Sequence, residues 1–132
     1  MSASNDLENK ILDHILGGGD YTRPATVYIS LHTADPGETG ANETTGTSYA
    51  RKDVTNNATN FPAAAAGAKA NGTAINFATP GAGGWGTVTH FGIWDAVSAG
   101  NFMFGGALGT AKTINAGDPV SFPIGDLDVT AD

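Results

Sequence analysis

Two runs flank a short turn between Trp85 and Leu108, and they restrict the fold more than any other stretch. The first is Trp85-Gly-Thr-Val-Thr-His-Phe-Gly-Ile-Trp94, and the second is Asn101-Phe-Met-Phe-Gly-Gly-Ala-Leu108. Between them Asp95-Ala-Val-Ser-Ala-Gly100 ends on the residue that turns most freely. β-Branched and aromatic side chains suit a pleated, half-buried surface, so the stretch predicts an antiparallel hairpin. Side chains alternate across a strand. By parity, Phe102, Phe104 and Leu108 share one face, and Met103, Gly105 and Ala107 the other. Phe91 and Ile93 likewise oppose Val88 and Trp94. Apolar groups on both faces call for two covers: an opposing sheet, and either a helix or a neighbouring subunit.

The rest of the chain supplies candidates for both. Residues 4–16 predict the one good helix. Ser4 or Asn5 caps it, and Asp6 and Glu8 sit near the positive end of its dipole. Leu7, Ile11, Leu12, Ile15 and Leu16 recur at helical spacing, and Gly17-Gly-Gly19 stops the run. This apolar stripe docks on its own domain or lies against a partner. Ala25–Leu31 predicts a strand with Val27, Ile29 and Leu31 on one side and Tyr28, Ser30 and His32 on the other. The polar segment 33–46, with the turn signature Asp35-Pro36-Gly37, predicts a long loop of the kind that is functional or mobile, a clamp or an exposed tip. Tyr49–Val54 carries Arg51, Lys52 and Asp53 in a row, which suits a sheet edge.

Asn56–Asn71 predicts a loop, because Pro62 and Gly67 bracket its alanines too closely for a helix. Thr73–Ala78 predicts a strand with Ile75 and Phe77 inward, and Ala111–Ile114 another short one before the turn Asn115–Asp118. Across Pro119–Val129 the apolar parity changes: Val120, Phe122 and Ile124 have one phase, Leu127 and Val129 the other. A strand cannot change faces without an irregularity, so a break is expected at Gly125-Asp126. The sum is a mainly β fold: a jelly-roll-like antiparallel β-sandwich of about seven or eight strands plus one N-terminal helix. A chain of 132 residues fits a single domain, with the helix at 4–16 and the sandwich at 25–130.

Charge narrows the function. The net charge is −7 with six Lys plus Arg, which lacks the basic footprint of a nucleic-acid binder. Between residues 61 and 109 only Lys69 and Asp95 are charged. A free monomer spreads charge over its surface. The neutral middle therefore reads either as a surface met by other chains or as a low-charge β domain with neutral loops. There is no cysteine, which excludes a disulfide framework or thiolate zinc site. The first residues have neither the basic region nor the apolar run of a signal peptide, and no segment is a membrane helix.

No catalytic motif emerges. His14, His32 and His90 have no metal-ligand spacing, and there is no GxSxG elbow. Gly81-Ala-Gly-Gly84 lacks the Lys-Ser/Thr and the helix of a phosphate loop. Asp126 and Asp128 share a strand face, as in some calcium sites, but a solvated strand end explains them better. Asn42, Asn57 and Asn71 stand in glycosylation-type tripeptides that mark exposed loops. Trp85 and Trp94 suit core packing, or a glycan-binding platform. No metal or cofactor is expected.

Six stretches carry a resemblance: Tyr28-Ile-Ser-Leu-His-Thr-Ala-Asp-Pro-Gly37, Thr39-Gly-Ala-Asn-Glu43, Tyr49-Ala-Arg51, Thr87–Trp94, Gly100-Asn-Phe-Met-Phe104 and Ile114-Asn-Ala-Gly-Asp118. The chain resembles, over Leu7–Val129, a family of small tailed-bacteriophage virion proteins labelled tail fibre or minor tail protein, some similar to capsid cement (decoration) proteins. The resemblance implies a jelly-roll fold, no active site and a place on the virion. It marks a virion component more than a station; the first expectation is a cement protein on the outer capsid surface that joins major capsid subunits and self-associates, a dimer before a trimer. A tail-fibre or minor tail component touching host glycan is the alternative, and a small hydrolase a distant third. Candidate contact residues are Leu7, Ile11 and Ile15 on the helix, Trp85, Val88 and Trp94 in the hairpin, and Asp35 and Pro36 in the loop. No direct contact with nucleic acid or membrane is implied.

Overall fold

The structure is a computed structural model that describes residues 3–131. In chain order it contains helix α1 (Asn5–Ile15) and strands β1 (Thr26–His32), β2 (Lys52–Thr55), β3 (Ala68–Ala70) and β4 (Ile75–Asn76). Strands β5 (Gly86–Trp94), β6 (Phe102–Ile114), β7 (Ser121–Phe122) and β8 (Asp128–Thr130) follow. The fold is mainly β with one helix, as expected. A four-stranded sheet runs β2-β1-β5-β6, and two ribbons, β3-β8 and β4-β7, stand apart from it. All pairings are antiparallel. The second layer is thus two short ribbons, where a jelly roll has a second continuous sheet.

The expected hairpin is the spine of the sheet. Asp95 closes its turn by accepting the Asn101 N–H at 2.7 Å and the Asn101 side-chain amide at 2.8 Å. Two irregularities change the faces that strict alternation assigns. Between Ile93↔Phe104 and Trp94↔Phe102 the second strand holds one extra residue, Met103. This bulge turns Phe102 to Trp94's side, while Met103 joins the main core. Phe102 and Phe104 therefore do not share a face. A second shift lies between Val88 and His90, opposite the stretch where 107 gives way to 112. Val88 accordingly packs in the main core, and Trp94 lies outside that cluster. The shift also joins two predicted strands, 101–108 and 111–114, into the single β6.

The main core fills one side of the sheet. Ile29, Leu31, Val88, Ile114 and Leu127 are almost wholly buried, and the ribbons add Ile75 and Phe122. Phe122 meets Phe91 edge-on, with ring centroids 6.3 Å apart, which locks the β4-β7 ribbon over the sheet. Each such buried side chain contributes roughly 1.5–3 kcal/mol. The predicted break before β8 is present: Gly125 takes a positive φ, and Asp126 N–H closes a turn on the Pro123 carbonyl at 3.0 Å. The break sends β7 and β8 into different ribbons. One predicted loop is corrected. Ala68–Ala70 at the end of the 56–71 segment pairs with Thr130–Asp128 as a strand.

Helix α1 starts where expected. Ser4 caps it by accepting the Leu7 N–H, and the same hydroxyl donates to the Phe102 carbonyl at 2.7 Å. Ala3 bridges Phe104, and Ser4 N–H bonds the Met103 carbonyl, so the segment before the helix adds a rung to the free edge of β6.

Candidate functional site

Two regions carry the residues that sequence singles out. The first is the far side of the main sheet, under segment 33–46. Here Tyr28, Ser30 and His32 of β1 lie opposite Trp94, Gly92 and His90 of β5. The segment is not a loose tip: its stretch around Glu43 pairs back onto β1 at His32, and Thr44 donates to the Trp85 carbonyl. Pro36 is fully buried against the sheet, and Asp35 is exposed and accepts the Gly37 N–H at 2.9 Å. Room for this cover comes from small residues. A Cβ on Gly92 would meet Ser30 Oγ at 2.5 Å, and one on its partner Gly105 would meet Pro36 Cγ at 2.8 Å. Gly40, at φ +75°, lies so close on Trp94 that a Cβ would overlap the indole ring.

A polar network ties this cover down. Trp94 Nε1 donates to Ser30 Oγ at 2.8 Å, and Ser30 Oγ lies 2.7 Å from His32 Nε2. His32 Nδ1 lies 2.7 Å from the Ala41 carbonyl, which only accepts. These partners set the tautomer: Nδ1 carries the proton and Nε2 accepts from the serine hydroxyl. Burial pushes the His32 imidazole below its ordinary range, against the opposing effect of the Ala41 hydrogen bond. Arg51 stands over the Trp94 ring, 3.6 Å from its centroid. Its guanidinium forks onto Glu43, with Nη2 to Oε2 at 2.8 Å and Nε to Oε1 at 3.0 Å. Its Nη1 donates to the carbonyls of Ala96 and Ala99, which fixes the hairpin turn. Burial pushes the Glu43 carboxyl up, but hydrogen bonds from Arg51 and Tyr49 outweigh it and hold the group below its ordinary value.

The Ser30–His32 pair has the atoms of a nucleophile and its base, but not the setting. Both side chains are wholly buried, and Ser30 Oγ is already held by Trp94. Neither residue lines either of the two described cavities. The network joins the loop to the sheet, and it presents nothing to a substrate. Sequence reading placed these residues on one strand face but gave no sign of the pairing, since Arg51, Glu43 and Ala41 arrive through the loop.

The second region is the helix and the groove beside it. Only the first turn of α1 docks: Leu7 is 4 % exposed, but Ile11, Leu12, Ile15 and Leu16 rise from 38 % to 73 %. All residues from 11 to 20 are exposed. The apolar stripe thus turns outward along its length. Beside it runs a groove of about 370 Å³, lined by Leu7, Ile11, Tyr21, Phe61, Met103 and Val129 among others. Arg23 and Lys69 stand on its wall.

The candidate contact residues therefore divide. Leu7, Pro36, Trp85, Val88 and Trp94 are interior, with both tryptophans under 8 % exposed. Their rings form no open platform for a sugar. Ile11, Ile15 and Asp35 are at the surface.

The model of the family described as podophage GP4 fiber I protein gp80 matches residues 2–130. This chain belongs to that family. Membership makes it a phage structural protein of the virion, as its motifs implied. No curated protein matches it. The family match covers both regions, the locked loop and the outward-turned helix. Among the described residues no three His, Cys, Asp or Glu side chains group as metal ligands, and no helix is long and apolar enough to cross a membrane.

Proposed function

We propose that this chain is a non-enzymatic building block of the virion exterior that works by contact with neighbouring virion chains, and that its station is a tail-associated fibre. The description of the family, as a fiber protein, is what supports the fibre station. The observation that carries the contact role is the aliphatic surface of α1, where three large apolar side chains of the helix and a fourth at its C-cap, Leu16, stand in solvent. Monomeric proteins rarely leave such a group uncovered, and a contiguous patch of this kind marks a place where another chain binds. The locked loop serves this role by rigidity: a module held by a part-buried ion pair and a closed hydrogen-bond network keeps its surface in one shape.

A second reading has the chain as a cement protein on the outer capsid surface, joining major capsid subunits. It is favoured by the similarity of motifs such as Tyr28–Gly37 and Ile114–Asp118 to those of cement proteins. Many weak contacts made in parallel would then reinforce the shell. Antibody labelling of intact particles, followed by cryo-electron microscopy, separates the two. Label confined to the tail region supports the fibre. Label spread over the head shell overturns it in favour of cement, and substrate turnover by the purified chain overturns both.

A further inference from the structure

We infer that the α1 face is a two-fold self-association surface, in which the helix of one copy lies in the groove of a second copy and the reverse. Three observations select a second copy as the occupant. First, ridge and groove adjoin on one face, because Leu7 and Ile11 of α1 line the groove themselves. A two-fold axis beside such a face brings each helix opposite the other copy's groove, which is the self-complementarity an isologous dimer requires. Second, the chemistry matches: the groove wall is predominantly apolar and the uncovered end of α1 offers Leu12, Ile15 and Leu16.

Third, the unpaired charges are opposite. The ion pairs among the described residues use Lys10, Arg51 and Lys52. Of the three remaining Lys and Arg residues, Arg23 and Lys69 both line the groove. Lys69 already reaches the Phe61 carbonyl at 3.4 Å, which leaves Arg23 the more available. On the helix, Glu8 is part-buried within the apolar stripe and has no ion pair among the described residues. Glu8 of one copy meeting Arg23 of the other would neutralise both, and such a pair fixes register and orientation more than it adds affinity. The inference concerns the isolated chain and holds for either station on the virion.

Sedimentation velocity over a concentration series tests it. The native chain should form dimers as concentration rises. Leu12→Asp and Ile15→Glu should each weaken the dimer at least about tenfold, with thermal midpoints unchanged at dilutions where the native chain is monomeric, because both positions are exposed in a single copy. Glu8→Arg alone and Arg23→Glu alone should each weaken it too. An equimolar mixture of those two single variants should recover association, because each mixed dimer keeps one native pair and gains one reversed pair. A native chain that stays monomeric throughout, a trimer, or a dimer indifferent to Ile15→Glu overturns the inference. Failure of the mixture to recover association does so as well.

Discussion

Replacing Arg51 with alanine should be among the most damaging single changes outside the main core. The side chain is 7 % exposed, and its partner Glu43 is 22 % exposed. Removing one member of a buried pair costs about 3–5 kcal/mol, mostly because the other charge is left without compensation. Glu43 keeps the Tyr49 hydroxyl at 2.8 Å and gains some water, which places this cost near the lower end. Loss of the cation–π contact with Trp94 adds about 0.5–2 kcal/mol. The carbonyls of Ala96 and Ala99 lie by the turn and rehydrate at little cost. The total is about 3–5 kcal/mol, a large part of the roughly 5–15 kcal/mol available to a domain. Urea denaturation followed by tryptophan fluorescence measures it, with the m-value expected to hold. Glu43→Gln keeps the shape and one acceptor oxygen but strands the more deeply buried guanidinium, so it should cost about 2–4 kcal/mol. The double-mutant cycle should return a coupling of at least about 1 kcal/mol. A loss under about 1 kcal/mol for Arg51→Ala would place the pair with solvated surface bridges and refute the reasoning.

Three further outcomes follow from the same geometry. His32 stays neutral in the folded chain to a lower pH than its ordinary 6.5, so the unfolded chain binds the extra proton first; stability should be level above pH 6.5 and fall below it by up to about 1.4 kcal/mol per pH unit, until the folded imidazole also titrates. A His32→Gln variant, measured by the same denaturation at several pH values, should lose that slope. Gly40→Ala should cost about 2–4 kcal/mol, from the left-handed backbone and the overlap with Trp94 together, and limited proteolysis should then cut within 33–46. Trp85→Ala should lower stability by about 3–5 kcal/mol in thermal unfolding, since the ring is core and its Nε1 donates to the Thr47 carbonyl at 3.0 Å.

Much of the β framework was legible because its signals are local. The capping serine, the alternation in β1, the turn at Asp95–Gly100 and the break near Gly125 each lie within a few residues of their cause. The three charges at 51–53 placed β2 at an edge, and the sheet order β2-β1-β5-β6 agrees. What parity could not show were the two shifts in the β5-β6 ladder, because an extra residue at Met103 leaves no mark in the pattern of apolar residues. The way segment 33–46 is tied to the sheet was illegible for a related reason. Its polar composition suits water, yet its attachment depends on Arg51, Trp94 and His32, which are distant in sequence. The ribbon strand Ala68–Ala70 has no strong β-formers and exists through its pairing with β8. Along the helix, hydrophobic spacing marked the apolar stripe but could not separate Leu7, which docks, from Ile15, which does not.

The short rung laid down by Ala3 and Ser4 has a consequence for how this chain ages in solution. Strand β6 borders the sheet for 13 residues, and a long open border is a template for stacking one molecule on the next. Two residues occupy its first rungs, and they are held there by the same serine hydroxyl that begins the helix. Trimming the chain past Ser4 would strip that guard and uncap α1 in one cut, leaving a product inclined to pile up edge against edge.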